Sequence, residues 1–176
     1  MPISWSDAVQ QIYDPTNAAL RMLGGAPYTV ITVTPTVLNN DAYDASDLLF
    51  DSAEIAGAVR TVGGCAFLES VTLLDKADQK VALNLVFANA ATDFGTLDSA
   101  PDPDDTECAT VVGIVPVAVA DYVDLGGAAV ATVKNLHLLL KAGAATTSLW
   151  VAGINGAGTP TYTTGALVLQ LGFLQA

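Results

Sequence analysis

Five acids fall between positions 98 and 107: Asp98, Asp102, Asp104, Asp105 and Glu107. Pro101 and Pro103 stand among them, and no lysine or arginine occurs between Lys80 and Lys134. A general acid–base pair would need two carboxylates in unlike environments, one of them desolvated. Asp102, Asp104 and Asp105 sit beside prolines in a stretch with no apolar neighbours, which predicts exposed side chains and no such pair. A calcium loop needs several oxygens converging on one ion, with a glycine at the sharp turn. Asp102, Asp104 and Glu107 echo that alternation, but the glycine and a correctly spaced bidentate glutamate are missing. Calcium held jointly with another loop is the one cation reading left for these three. The simpler expectation is a solvated turn between strands, whose charges interrupt what would otherwise be an apolar path from Phe87 to Val111 open to wrong strand pairing.

Other chemistry is thinner still. His137, in "KNLHLLLK", is the single histidine, and on a strand it would share a face with Val133, Asn135 and Leu139. Zinc and iron sites use several His or Cys ligands at short spacings. Cys65, Cys108 and His137 form no C-x-x-C or H-x-H pattern. The two cysteines read as free buried thiols, since a chain this long can bury a core without a bridge. There is no G-x-S-x-G elbow. The stretches "GGAP", "VGG", "LGGAA" and "INGAGTPTYTTG" contain neither a strand–GxGxxG–helix fingerprint nor a GK[ST] phosphate loop. The expectation is therefore a protein without catalytic residues, cofactor or resident metal.

The elements that would position these residues are strands. "YTVITVTP" is β-branched and stops at Pro35. "DAYDASDLLFDS" reads as turn chemistry around a short strand, and "EIAGAVR" reads as a strand weakened by Gly57. "CAFLESVTLL" and "KVALNLVFAN" are two strong strands joined by "DKADQ". In the second, Val81, Leu83, Leu85 and Phe87 alternate with Ala82, Asn84, Val86 and Ala88, a period of two. "ATVVGIVPVAVADYV" reads as one long strand in which Gly113 and Pro116 mark a bulge or an edge. "AAVATVKNLHLLLKA", "SLWVAGIN" and "GALVLQLGFL" complete about eight strands, with no helix expected after residue 27. Short strands separated by Gly, Pro and Asp turns predict a sandwich or a barrel. Residues 28–176 form that β domain, and residues 1–27 read as an N-terminal arm with a hinge at "GGAP". In the arm, Asp7 caps a short helix through Tyr13, Asp14-Pro15 stops it, and Thr16 to Leu23 form another turn or two. Trp5, Ile12 and Tyr13 are its anchors for docking on a partner.

Composition narrows the partners. The 176 residues carry a net charge of −12, which opposes direct binding to nucleic acid or an anionic membrane surface. No basic patch is interleaved with aromatics. Hydrophobic residues make up 52% and charged residues 14%, an apolar balance for a lone monomer. All 18 acids lie at or before Asp124, so the last 52 residues carry only Lys134, Lys141 and His137 as ionisable side chains other than tyrosine. A nearly uncharged face suits burial against another protein. "MPISWSDAVQQ" has no secretory-signal pattern, and the longest run lacking both charge and strong polarity, "CATVVGIVPVAVA", is too short to span a bilayer.

The run from Thr34 to Asn89 resembles a family of tailed-bacteriophage virion proteins that decorate or cement the capsid. Family members show an "AYxxGD" turn followed by "nAxRxxGGsGxLxsVxLxDxxxQkxxLxLxlF". Here Asp41, Ala42, Tyr43 and Asp47 match the turn. Arg60, Gly63, Gly64, Leu68, Val71, Leu73, Asp75, Gln79, Lys80, Leu83, Leu85 and Phe87 match the run. The ending "TPTYTTGALVLQLGFLQ" is similar to the family's "TPTYTxxxLxLxLxxLQ". Ala45-Ser46 replaces a small residue and glycine in the first turn, and Cys65 stands where Ser is common. The resemblance implies a jelly-roll-like antiparallel β-sandwich that sits on the outer surface of a virion shell after synthesis in the host cytoplasm. It implies the major capsid protein as partner and a homo-oligomer, a trimer, as the assembled form. A carbohydrate- or receptor-binding module of a head or tail fibre is the alternative of another class. Its sugar platform would be Tyr162, Trp150, Tyr122 and Asp121.

Overall fold

The computed structural model describes residues 28–175 and two short strands before them, Tyr13–Asp14 and Ala19–Leu20, which pair antiparallel with Tyr13 opposite Leu20. Trp5 and Ile12 lie outside the described residues. The expected helical turn over Thr16–Leu23 is replaced at Ala19–Leu20 by this pairing, and Tyr13 is likewise in a strand rather than at a helix end.

Eight longer strands follow: β1 (Tyr28–Val33), β2 (Leu48–Ile55), β3 (Cys65–Asp75), β4 (Leu83–Ala88), β5 (Val111–Val117), β6 (Ala129–Lys141), β7 (Leu149–Asn155) and β8 (Leu167–Gln175). They form two antiparallel sheets, β1-β8-β3-β6 and β2-β7-β4-β5, and the short edge segment Tyr122–Asp124 adds a fifth strand beside β6. The pairings are nested. The first strand pairs with the last, the second with the seventh, the third with the sixth and the fourth with the fifth. An antiparallel ribbon rolled up in this way is a jelly roll, which disposes of most of its edges by winding.

Alternation places the core between the sheets. Leu68, Val71 and Leu73 from β3 and Leu169, Leu171 and Phe173 from β8 meet Leu83, Leu85 and Phe87 from β4 and Leu149 and Val151 from β7. Each side chain so buried contributes about 1.5–3 kcal/mol relative to exposure. Gly153 in β7 leaves room for a ring, because a Cβ there would collide with Phe50 of β2.

Three expectations about elements need correction. The strand expected at "EIAGAVR" ends at Ile55. Gly57 turns the chain with φ +69°, a conformation that L side chains rarely adopt. The long strand expected through "ATVVGIVPVAVADYV" ends at Val117. A 3-10 turn, Val119–Asp121, then carries the chain to the other sheet, and the Ala118 N–H donates to Asp121 Oδ2 at 2.8 Å. A four-residue helix, α1 (Asp105–Cys108), stands where no helix was expected. The reading of Gly113 and Pro116 does match the structure. β5 is an edge strand, and its pairing with β4 is irregular beside Gly113.

Candidate functional site

The acidic stretch does more than turn. Asp104 is the N-cap of α1: its Oδ1 accepts from the N–H groups of Thr106 and Glu107 at 2.7 and 2.8 Å, and Glu107 Oε2 accepts from the Asp104 N–H at 2.7 Å. This reciprocal box turns both carboxylates toward their own backbone. Asp102 packs against Gly95, where a Cβ would collide with its Oδ1, and it lines a cleft of about 340 Å³ with Asp93, Thr96 and Glu107. Among the described residues, no group of three or more His, Cys, Asp or Glu side chains has the arrangement to hold a metal ion.

The segment from residue 89 to residue 110, which contains that stretch, is stitched to β2. Phe94 N–H donates to Asp51 Oδ1, Thr92 N–H to Ser52 Oγ, Asp98 N–H to the Leu48 carbonyl, and Leu48 N–H to the Ser99 carbonyl. Held this way, Phe94 and Leu97 pack on the outside of the four-stranded sheet with Leu48, Val86, Ala88, Trp150 and Ala152. A second small core results, and it explains why Val86 and Ala88, on the weaker face of β4, are buried as well. The expectation of a merely solvated turn missed this cover. The signal was present in Phe94 and Leu97, two large apolar residues in a segment otherwise small and polar.

The outer face of the five-stranded sheet is built differently. Its register sets four rows of side chains across the strands. Tyr28, Leu174, Phe67 and Leu139 form one row, and Val30, Gly172, Ser70 and Lys134 the next. Thr32, Gln170, Thr72 and Thr132 form the third, and Val168, Leu74, Val130 and Val123 the fourth. Tyr28 is 78%, Val30 68%, Val123 62% and Leu139 53% exposed. None of these sixteen positions is acidic. Lys141 extends the face beside Cys65. Glu69, at a bulge in β3, is held by His137, whose Nδ1 lies 2.8 Å from a Glu69 oxygen.

That bulge corrects the reading of His137. Leu68 faces Leu138 and Ser70 faces Lys134, so Glu69 alone stands opposite three residues of β6. Asn135 and His137 take φ values of +60° and +47°, which breaks the alternation expected to align His137 with Val133 and Leu139. The cysteines are both free, but Cys108 is exposed at the end of α1 and Cys65 is half-buried, so neither is the deeply buried thiol expected. The proposed sugar platform does not form. Tyr162 is fully buried, Tyr122 turns its hydroxyl to donate to the Val81 carbonyl at 2.9 Å, and Trp150 packs under the connector.

One end of the sandwich gathers buried phenols and carboxylates. Tyr43 and Tyr162 are fully buried, Tyr122 is half-buried, and burial pushes all three phenols up from their ordinary range. The Leu38 N–H donates to Tyr43 Oη at 2.7 Å. Buried Asp75 accepts from the N–H groups of Ala77, Gln79 and Lys80 at 3.0, 2.8 and 2.9 Å, closing the turn between β3 and β4. Asp98 is held above the usual carboxylate range by desolvation and by the charges of Asp41, Asp47 and Asp44. Lys80 pairs with Asp124 at 2.8 Å and with Asp78 at 3.2 Å, which raises the ammonium and lowers the Asp124 carboxyl. The roles visible here are capping, turn closure and packing.

Fold and surface together define a jelly-roll sandwich with one sheet covered by an acidic connector and the other, among the described residues, without such a cover. No protein-family model matches the chain, and no curated protein matches it. Among solved structures it is similar to a chain from Desmodium yellow mottle tymovirus, at 16% identity over 89% of this chain and 86% of that one, with a TM-score of 0.28. At so low an overlap the similarity carries no function to this chain.

Proposed function

We propose that this protein is a structural component of a tailed-phage virion that docks on the outer face of the capsid and cements the shell. The reading rests on the resemblance of residues 34–89 to capsid decoration proteins. The observation that supports it best is what the matching residues do. Tyr43 and Asp75 are fully buried, and Leu68, Leu73, Leu83, Leu85 and Phe87 fill the core between the sheets. The shared pattern thus specifies turns and packing, as a protein that works by occupying a lattice requires. Cementing needs no reaction. A protein that binds only the assembled shell stabilises it by mass action, and an interface of about 1,600 Å² repeated over the lattice would suffice. The major capsid protein is the proposed partner, a trimer the proposed assembly, and the outside of the shell the proposed site, where a net charge of −12 stays clear of packaged DNA.

The arm extends this reading. Residues 1–27, with Trp5, Ile12 and Tyr13, are proposed to lie along the capsid protein or a neighbouring copy. The test is co-sedimentation of the purified chain with undecorated phage heads and, separately, with host cells. Binding to heads supports cementing, whereas binding to cells alone would overturn it in favour of a receptor-binding module.

A further inference from the structure

An edge strand offers a row of unpaired N–H and C=O groups to any other strand, and folded proteins blunt their edges against it. Among the described residues, three of the four edges of this sandwich are blunted. β2 carries Asp51 and Glu54, and the connector is bonded to it at Leu48, Asp51 and Ser52. β5 contains Pro116, and β6 packs across it so closely that a Cβ on Gly113 would come within 2.8 Å of Leu138. Tyr122–Asp124 is three residues long and ends on an acid paired with Lys80. β1 has none of these devices. Its sequence, "YTVITV", holds no charge, proline or glycine, and it pairs with β8 over six residues without a bulge. No strand lies on its other side among the described residues, and Tyr28, Val30 and Thr32 are exposed.

We propose that β1 is a pairing edge and that its partner is β1 of a second copy of this chain, set antiparallel about a two-fold axis. The strand is complementary to itself. Centred on Val30, the pairing opposes Tyr28 to Thr32, Thr29 to Ile31 and Val30 to Val30. Centred on Ile31, it opposes Thr29 to Val33, Val30 to Thr32 and Ile31 to Ile31. Both registers keep outward residues opposite outward ones and inward residues opposite inward ones. Every pair is β-branched or aromatic, the kinds that stabilise a sheet when directly opposed. Charge favours the same occupant: two chains of net charge −12 meet along β1 without like charges coming opposite each other. The contact also closes. It uses the bare edge of both copies and leaves none, so it ends at the pair instead of running into a fibre. The two five-stranded sheets become one of ten strands. Six residues span about 20 Å, a small contact, so pairing depends on concentration. The pairing does not depend on the capsid reading. On a shell, where copies are held side by side, it would tie one copy to the next, and being two-fold it is separate from a trimer contact.

The experiment is analytical ultracentrifugation of the full chain and of two variants, Val30→Lys/Thr32→Lys and Val30→Glu/Thr32→Glu, with mass followed against concentration. Both positions are exposed, so the variants should keep the fold, and a melting curve of each checks this. The parent should gain mass as concentration rises. Each variant alone sets like charges opposite each other across the two-fold and should associate at least about tenfold more weakly. Mixed in equal amounts, the two variants oppose lysine to glutamate and should associate again, a rescue that only pairing of this strand with itself produces. Deleting residues 1–27 should leave the association in place. A parent that keeps one mass up to about 1 mM would overturn the proposal. So would variants that gain mass as the parent does, or a mixture that stays apart. Loss of association in the deletion protein would also overturn it, since the arm would then be what occupies the edge.

Discussion

Asp75 has no exposed surface, yet its carboxylate is fully occupied by three backbone N–H groups of the turn that follows. Removing it leaves buried donors without a partner, at about 1–3 kcal/mol for each that water cannot reach. Asp75→Ala is expected to cost about 2–4 kcal/mol in urea unfolding, with Asp75→Asn costing less. A change within about 0.5 kcal/mol would mean that the turn holds itself. Asp98 makes stability depend on pH. Its raised carboxyl gives stability that is complete below the ordinary carboxylate range and is lost as pH rises through the folded value. Asp98→Asn keeps its side chain neutral throughout. The melting temperature of the variant relative to the parent should therefore be higher near pH ~7 than near pH ~3. An offset that does not change with pH would show that Asp41, Asp44 and Asp47 do not act on this position. The spacing "LxDxxxQK" was legible as a motif, but only the folded turn shows that the acid serves its own backbone.

The connector over the four-stranded sheet is the element that sequence patterning handled least well. Its acids advertised a solvated loop, whereas Phe94 and Leu97 make it a lid on a small core. Phe94→Ala should cost about 3–5 kcal/mol if that core behaves as a normal interior. Hydrogen exchange should then speed up across residues 89–110 while β3 and β8 stay protected. Uniform loss of protection would instead make the lid part of the global unit. The acids of α1 contribute locally. Changing Asp102, Asp104 and Asp105 to Asn should shift stability by no more than about 0.5 kcal/mol, since Asn caps a helix about as well as Asp. Calcium or chelator should leave the melting temperature in place. A calcium-dependent rise would revive a cation shared with another loop. In β7, Gly153→Ala should cost about 1–3 kcal/mol, because the added methyl meets the Phe50 ring rather than open space.

At the scale of the whole molecule, nested pairing makes the fold non-local. β8 is hydrogen-bonded to both β1 and β3, so the larger sheet cannot be completed until β8 is made. Such topologies fold slowly, on the order of milliseconds to seconds. A chain truncated before Leu167 is expected to lose the cooperative unfolding transition. Deleting residues 1–27 removes no strand of either sheet, so that variant should melt cooperatively while losing its hold on heads. Retained head binding by the deletion protein would remove the arm from the proposed interface.

The sequence by itself determined that this is a β protein of about eight strands, because period-two alternation and Gly, Pro and Asp turns are local signals. It also marked β5 as a bulged or edge strand, since Pro116 cannot donate to a neighbour on its N–H side, and the structure shows both. Which outer face would be covered was settled only in three dimensions. Val86 and Val30 are the same residue type on the outer faces of their sheets, yet one is 4% and the other 68% exposed. The difference is a connector anchored to Asp51 and Ser52, distant in sequence, that crosses one sheet and not the other. The bulge at His137 has the same origin: two left-handed residues in β6 are fixed by pairing with β3, and nothing local to "KNLHLLLK" announces them.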